Sequence, residues 1–109
     1  MEWRHRLTIA INTDPGTLDL RAEHDVIVSL RIEALICNLP AAADAGIGRC
    51  YGFRSASRGP IRIRAAGTET ITGLARTSGA ADILVATGTG ISLISDGKSA
   101  WYAISDLGQ

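Results

Sequence analysis

Few residues of this 109-residue chain could do catalytic chemistry, and their spacing matches no catalytic motif. The two histidines, His5 and His24, lie in the first quarter, one in a charged leader and one in a polar turn. A catalytic site needs a nucleophile, a base and an orienting group that converge. The chain has neither a Gly-x-Ser-x-Gly elbow nor a His-Glu-x-x-His helix, and Gly88-Thr89-Gly90 lacks the lysine of a phosphate loop. The sequence therefore predicts a protein that is not an enzyme, with no cofactor and no catalytic or metal-binding residues.

The two cysteines, Cys37 and Cys50, form neither a metal motif nor a disulfide framework. Each stands among apolar or aromatic neighbours, which predicts buried free thiols. A disulfide between them stays open at this point, because it would form only if the two strands that carry them pair.

The arginines offer a different kind of chemistry, the binding of anions. The formal net charge is zero, which disfavours a nucleic-acid binder. Residues 49–76 nevertheless carry six arginines and one glutamate, between the acidic segments 1–48 and 77–109. This basic segment predicts either ion pairing between strands or subunits, or a patch for an anionic partner such as an acidic glycan. The candidate residues of the patch are Arg54, Arg58, Arg62 and Arg64.

The chain shows no sign of export or membrane insertion. The apolar stretch after the charged N-terminus runs only from Leu7 to Ile11, which is too short for a signal-peptide core. No apolar run approaches the roughly 18 residues of a membrane-spanning helix. We therefore expect a protein made in a cytoplasm, with no membrane span.

The elements that must position these residues are strands. Isoleucine, valine and threonine total 25 residues, and glycine and serine a further 20, which is typical of strands and tight turns. The longest alternation predicts one strand over 26–36, with mixed residues such as Arg31 and Glu33 on its second face. Which face contacts another subunit stays open. Its first face holds Val26, Val28, Leu30, Ile32, Ala34 and Ile36.

Turn signals divide the rest of the chain into short strands at regular spacing. Pro15-Gly16 ends the first strand, residues 40–46 predict a loop or one short helical turn, and Asp96-Gly97 predicts a hairpin. This spacing predicts an all-β fold, a single small β-sandwich or barrel-like domain of about eight short strands. No internal repeat with matching residues is visible. The further predicted strands are 7–11, 18–20, 49–54, 61–65, 68–72, 82–86, 91–95 and 100–105.

Several sequence blocks in a fixed order resemble the appendage modules of tailed bacteriophages, the tail-fibre, head-fibre and capsid-decoration proteins. A strand ending in Leu-Pro is followed by small residues and Gly46, and later Ile61-Arg62-Ile63 is followed by spaced glycines. A Gly-x-Ile-x-Leu-x-x-Asp-Gly block then leads to Trp-Tyr-x-Ile, and the likeness covers residues 26 to 105. The positions that carry this family-like structural motif are Leu39, Pro40, Gly46, Gly90, Asp96, Gly97, Trp101 and Tyr102.

The resemblance implies an all-β structural protein of the virion, assembled in the host cytoplasm as a homotrimer. Its expected partners are other virion proteins of the capsid, tail or fibre, and host-surface glycans. Fibre chains are much longer, so a short version resembles a head spike, a capsid decoration protein, or a base to which another fibre chain attaches. We then expect residues 1–25 to be an N-terminal strand segment that anchors the chain, and 26–109 to be the appendage module. Trp3, Arg4 and Arg6 are the candidate anchor residues, since tryptophan and arginine are enriched in interface anchors.

The sequence is also compatible with two other functions. One is a carbohydrate-binding module that recognises an acidic cell-surface glycan through the arginines above. The other is a small hydrolase acting on capsule polysaccharide, for which no site is visible. The physical argument favours assembly, because aliphatics on both faces of a long strand leave apolar surface to cover. A closed oligomer covers such surface and hides strand edges. Head or tail location stays open.

Overall fold

The structure, a computed structural model, describes residues 6–21, 24–72 and 79–107, and it is all-β with two sheets, as predicted. These described ranges contain ten strands rather than about eight, and one short helix. The strands are β1 (Leu7–Ala10), β2 (Thr17–Asp19), β3 (Val26–Ser29), β4 (Leu35–Asn38), β5 (Cys50–Ser55), β6 (Ile61–Arg64), β7 (Thr70–Thr72), β8 (Asp82–Val85), β9 (Gly90–Ser95) and β10 (Ala100–Leu107). The helix is α1 (Ala42–Ala45). No helix in these described ranges is long and apolar enough to cross a membrane.

The first six strands wind into three stacked coils. The six-stranded sheet has the order β1-β3-β5-β9-β10-β7 and the four-stranded sheet the order β2-β4-β6-β8, so successive strands alternate between sheets. Leu7 pairs with Val26 in parallel, and Val26 with Gly52, which are offsets of 19 and 26 residues. The four-stranded sheet has the same offsets. Residues 7–19 of the predicted anchor segment therefore form the first coil of these two sheets.

The unequal coil lengths come from α1, which lies on the return from β4 to β5. This helical turn is one of the two structures predicted for residues 40–46. The backbone N–H of Ala42 donates to the carboxylate of Glu69 at 2.9 Å. Gly46 then ends the helix with φ at +92°, a conformation that glycine adopts at little cost. The inserted turn breaks the sequence period, which is why no repeat is visible in the residues.

The single strand predicted over 26–36 is wrong. Residues 26–29 form β3 in one sheet, residues 35–38 form β4 in the other, and a corner joins them. The buried side is the mixed one, with Ile27, Ser29 and Leu35 in the interior. The six aliphatics on the first face therefore point away from the core, or lie in the corner.

Hydrogen bonds between successive corners explain why the chain turns there. Arg31 is buried, and its Nη1 donates to the carbonyl oxygens of Ile11 at 3.2 Å and Asp14 at 2.6 Å in the preceding corner. The N–H of Gly59 in the following corner donates to the Arg31 carbonyl at 2.9 Å. A Cβ at Gly59 would collide with the backbone carbonyl of Glu33, so glycine is required for this approach. The hydrogen bonds of the buried Arg31 thus link the corner at 30–34 to the corners before and after it.

The remaining strands close the fold by antiparallel pairing. β8 pairs with β6, β9 with β5 and β10 with β9, while β10 lies parallel to β7. The Asp96-Gly97 hairpin between β9 and β10 is confirmed. The Asp96 carboxylate accepts the backbone N–H groups of Lys98, Ser99 and Ala100, and these hydrogen bonds lower the pKa of Asp96.

The core lies between the two sheets and contains most of the large side chains. Trp101, Tyr51 and Phe53 are fully buried, with ring centroids of Tyr51 at 5.6 Å from Trp101 and 6.5 Å from Phe53. Tilted aromatic pairs at these distances add to the stabilisation from buried area. Trp101 is buried and Tyr102 is exposed, because adjacent residues of a strand point to opposite faces of the sheet.

Candidate functional site

The outer surface of the six-stranded sheet is mostly apolar, and we call it the apolar face; its charged exception is the exposed Arg54, which lies beside Val28. Because side chains alternate along a strand, burial of Ile27 and Ser29 turns Val26 and Val28 outward, where both are half-buried. On the edge strand, Leu7 and Ile9 are exposed. Among the side chains that the structure describes, the large apolar ones that point outward on this face are Leu7, Ile9, Val26, Val28, Ile94, Tyr102 and Ile104.

The outer surface of the four-stranded sheet is polar, and we call it the charged face. One row across the strands places Asp19 beside Asn38, Arg64 and Asp82. Asn38 donates to the Asp19 carboxylate at 2.9 Å. The next row is Thr17, Ile36, Arg62 and Leu84. Together, the two rows of the charged face carry both positive and negative side chains.

The four candidate arginines do not form one patch. Arg54 lies on the six-stranded sheet, whereas Arg62 and Arg64 lie on the outer face of the four-stranded sheet. Arg58 is exposed in the corner between these strands. Arg62 pairs with Asp82 at 3.2 Å, and both side chains are about as exposed as buried. The structure thus brings together only Arg62 and Arg64, and it interleaves them with carboxylates.

Of the candidate anchor residues, Trp3 and Arg4 lie outside the described residues. Arg6 is described, and it pairs with Asp25 through Nε at 2.9 Å. The same carboxylate accepts Nη1 of Arg49 at 2.7 Å, and the Arg49 guanidinium also lies over the Tyr51 ring. Hydrogen bonds from Arg6 hold the pKa of Asp25 well below its ordinary value. Asp25 therefore ties the starts of β1, β3 and β5 together, which is a structural role for Arg6.

The family-like motif residues have structural positions that fit their types. Leu39 is buried and Pro40 half-buried at the start of the α1 segment, and Gly90 is buried where β9 begins. Gly97 has φ at +77° in the hairpin, close to Ile47. Gly46, Asp96 and the aromatic pair have the roles given above. These residues shape turns and core, and the exposed Tyr102 alone contributes to the apolar face.

The two cysteines lie on opposite sides of the sandwich. Cys37 is buried on the inner side of β4, where burial raises the pKa of its thiol to about 12. Cys50 is exposed on β5, so the prediction of a buried thiol is wrong for this residue. Its position follows from strand parity, because the next residue, Tyr51, points inward. Both thiols are free and their strands belong to different sheets, so Cys37 and Cys50 do not form a disulfide.

Within the described ranges, no group of three or more His, Cys, Asp or Glu side chains could hold a metal ion. His24 accepts the backbone N–H of Arg21 through Nδ1 at 2.9 Å, which fixes a turn. His5 lies outside the described residues. The described histidine thus stabilises local backbone structure.

The apolar face is the feature that residue-by-residue reasoning missed. Aliphatics on both faces of 26–36 were its signal, but they did not show which strands would share one outer surface. Ile104 and Ile94 join Ile9 on this surface only because β9 and β10 belong to the same sheet as β1.

Comparison of the chain with protein-family models and with curated proteins finds no match to either.

Proposed function

We propose that the chain is a non-enzymatic structural protein of a phage-type virion appendage or capsid decoration, which assembles as a homotrimer through its apolar face. The observation that carries the proposal is the difference in polarity between the outer surfaces of the two sheets. Aliphatic side chains dominate one surface, and mixed charges dominate the other.

The size of the apolar face supports assembly. Six strands at about 4.8 Å spacing make a surface roughly 24 Å wide. With strands of three to eight residues, the area of this face is several hundred Å², which is large for an apolar patch on a monomer. Full burial of each aliphatic side chain contributes roughly 1.5–3 kcal/mol, so half-exposed Leu7, Ile9 and Ile104 still have free energy to gain. A second surface of the same protein is always available to supply this burial.

The virion setting is supported by the resemblance of ordered blocks over residues 26 to 105. The motif residues form the turns and core of a rigid two-sheet domain, as a structural module requires. The trimeric state is also implied by that resemblance, and it leaves head or tail location undecided.

The test of assembly is the solution mass by light scattering at low and high salt. We expect a species of three times the 11.5 kDa chain mass that persists at high salt, since burial of apolar surface is not screened. A chain that stays monomeric at both salt concentrations would overturn the proposal.

Two matched variants locate the interface. Ile104 on the apolar face is 51% exposed and Leu84 on the charged face is 54% exposed, so each tolerates a charge in the monomer. Ile104→Glu is expected to abolish the trimeric species, because a buried unpaired carboxylate is costly. Leu84→Glu should leave the mass unchanged. The reverse pattern would assign the interface to the other sheet.

The virion role has its own test. An antibody to the chain should detect it in density-banded phage particles from the organism that carries the gene. Its absence from purified particles, with the chain present in the lysate, would contradict the virion assignment and leave the assembly intact.

The acidic-glycan module is not favoured by the geometry. A glycan-binding patch needs arginines that converge, but Arg54 lies on the opposite sheet from Arg62 and Arg64. Asp19 and Asp82 on the charged face would repel an acidic sugar. We therefore expect no retention on a column of immobilised anionic polysaccharide.

A further inference from the structure

The open edge of the first coil has backbone groups that face away from the rest of the sheet. The carbonyls of Arg6 and Ala10 accept the N–H groups of Val26 and Leu30, on the β3 side of β1. Because these groups alternate along a strand, the N–H and C=O of Leu7 and Ile9 point the other way. β1 is the last strand of the described sheet on that side. Two outward donors and two outward acceptors are thus in position to pair with another strand.

Among the residues that the structure describes, none closes the space between the two sheets at this end. A cavity of about 310 Å³ lies between β1 and β2. Its walls include Thr8 and Ala10 from β1, Leu18 from β2 and Leu35 from β4. In the two following coils the positions equivalent to Thr8 are Ile27 and Phe53, both fully buried. The first coil thus presents inward-facing positions that further strands would cover.

β1 has none of the features with which proteins block an exposed edge. Natural edge strands use lysine, proline, bulges or inward charges to prevent pairing. β1 has the sequence Leu-Thr-Ile-Ala and a regular parallel ladder with β3. The edge ends at Ile11, directly after β1. The backbone N–H of Ile11 donates to the Asp14 carboxylate, and the Ile11 carbonyl accepts Nη1 of Arg31. The available edge is therefore short and limited to β1.

This short edge is complementary to itself. In antiparallel pairing with a second β1, Leu7 would exchange two hydrogen bonds with Ile9 of the second copy, and Ile9 two with its Leu7. Thr8 would lie opposite Thr8 at the twofold axis, in a non-hydrogen-bonded pair. Four backbone hydrogen bonds would form, and the Leu7 and Ile9 side chains of the two copies would alternate on one continuous apolar face. A twofold contact of this kind is closed and needs no other partner.

We propose that the β1 edge pairs with the β1 edge of a second copy of this chain, antiparallel and in register about Thr8. The pairing merges the two open cavities into one enclosed space between the copies. It uses the strand edge rather than the apolar face, so it does not rest on the proposed function.

Cross-linking tests this register directly. Two residues opposite each other in a non-hydrogen-bonded pair have Cα atoms about 4.5 Å apart, within disulfide range. Thr8→Cys, made with Cys50→Ser to remove the exposed native thiol, should give a covalent dimer on mild oxidation with copper phenanthroline and air. Thr70→Cys in the same background is the matched control, since Thr70 is exposed on the edge strand at the opposite end of the sheet. It should give at least about tenfold less dimer. Equal or absent cross-linking of the two variants would overturn the proposal.

Hydrogen exchange gives a second test that needs no substitution. The amides of Leu7 and Ile9 should exchange at least about tenfold more slowly at high protein concentration than at high dilution. Fast exchange at all concentrations would mean that the edge is open. Protection that does not depend on concentration would mean that another part of the same chain covers it. Either result contradicts pairing with a second copy.

The same experiments separate this proposal from the assembly through the apolar face. Adding Ile104→Glu to the cross-linking background should leave the dimer yield of Thr8→Cys unchanged, because Ile104 is on β10, far across the sheet from β1. If the apolar face proposal fails, the cross-link still forms. If the edge proposal fails, light scattering still detects the species that Ile104→Glu disrupts.

Discussion

The two outer faces of this small sandwich are built on the same coil geometry yet differ in chemistry. Both sheets share offsets of 19 and 26 residues between coils, so each row of outward side chains crosses neighbouring strands at fixed spacing. On the six-stranded sheet the rows bring Leu7 beside Val26, and Ile9 beside Val28. On the four-stranded sheet they bring Asp19 beside Asn38. The fold thus gives each face its register, and residue type alone makes one face suited to association and the other to water.

The difference in polarity between the two outer faces does not extend to the core. Both inner sides carry large, fully buried apolar side chains, Ile27 and Phe53 on one sheet and Ile61 and Ile63 on the other. A charge on the apolar face should therefore affect association far more than folding. Changes to the corners should do the opposite, because the corners support both faces.

The largest expected effect on stability comes from a substitution in a corner, because the corners support both faces. In Gly59→Ala, the new Cβ would collide with the Glu33 carbonyl, so the corner must move and the hydrogen bond to Arg31 weakens. We expect a loss of roughly 3–5 kcal/mol in the free energy of unfolding, measured by urea titration. Gly16→Ala is the matched corner control, since its Cβ would lie 3.4 Å from Nη2 of Arg31 and 3.9 Å from the Ala34 carbonyl oxygen. That change should cost less than about 1 kcal/mol. Similar losses in both variants would mean that the corners do not stack as described.

A smaller effect should distinguish the ion pairs of the two sheets. The Asp25 side chain is 14% exposed and bonded to Arg6 and Arg49, whereas Asp82 is 43% exposed and bonded to Arg62. Asp25→Asn should lower the free energy of unfolding by about 1–3 kcal/mol near neutral pH. Asp82→Asn should cost less than about 1 kcal/mol.

The pH dependence of the Asp25 effect has a definite sign. Because its pKa is lowered in the folded protein, the stabilisation is complete above the unfolded value near 3.9 and is lost as the pH falls through the folded value. The difference between wild type and Asp25→Asn should therefore shrink below about pH 4. A difference that stays constant down to about pH 2 would contradict the pairing of this carboxylate.

The strand pattern could be predicted because alternation and turn chemistry are local. The Asp96-Gly97 hairpin is an example, since the aspartate side chain bonds to the next backbone N–H groups in its own turn. The all-β class and most strand positions follow from such signals. The opposite orientations of Trp101 and Tyr102 follow the same local rule, because they depend only on the period of two along a strand.

The predictions that the structure contradicts depended on contacts between residues that are distant in sequence. The corner at 30–34 requires Arg31 to reach the carbonyls of Ile11 and Asp14 from another coil, which no local pattern reveals. Alternation across 26–36 is the same whether the chain continues straight or turns into the second sheet. The patch of four arginines failed for the same reason, since Arg54 and Arg62 are eight positions apart but belong to different sheets.

Thiol labelling of the two cysteines should give the sharpest comparison of the two sheets. Of the changes considered, it should have the smallest effect on stability. Cys50 is exposed on the apolar face, whereas Cys37 is buried behind the charged face with a pKa of about 12. A thiol-specific reagent should label Cys50 in the folded protein and Cys37 at least about a hundredfold more slowly, which the Cys50→Ser variant measures separately. Association through the apolar face should also slow labelling of Cys50 as protein concentration rises, and Ile104→Glu should remove that dependence. Rapid labelling of Cys37 would show that the four-stranded sheet opens. A Cys50 rate independent of concentration would place the subunit contact elsewhere.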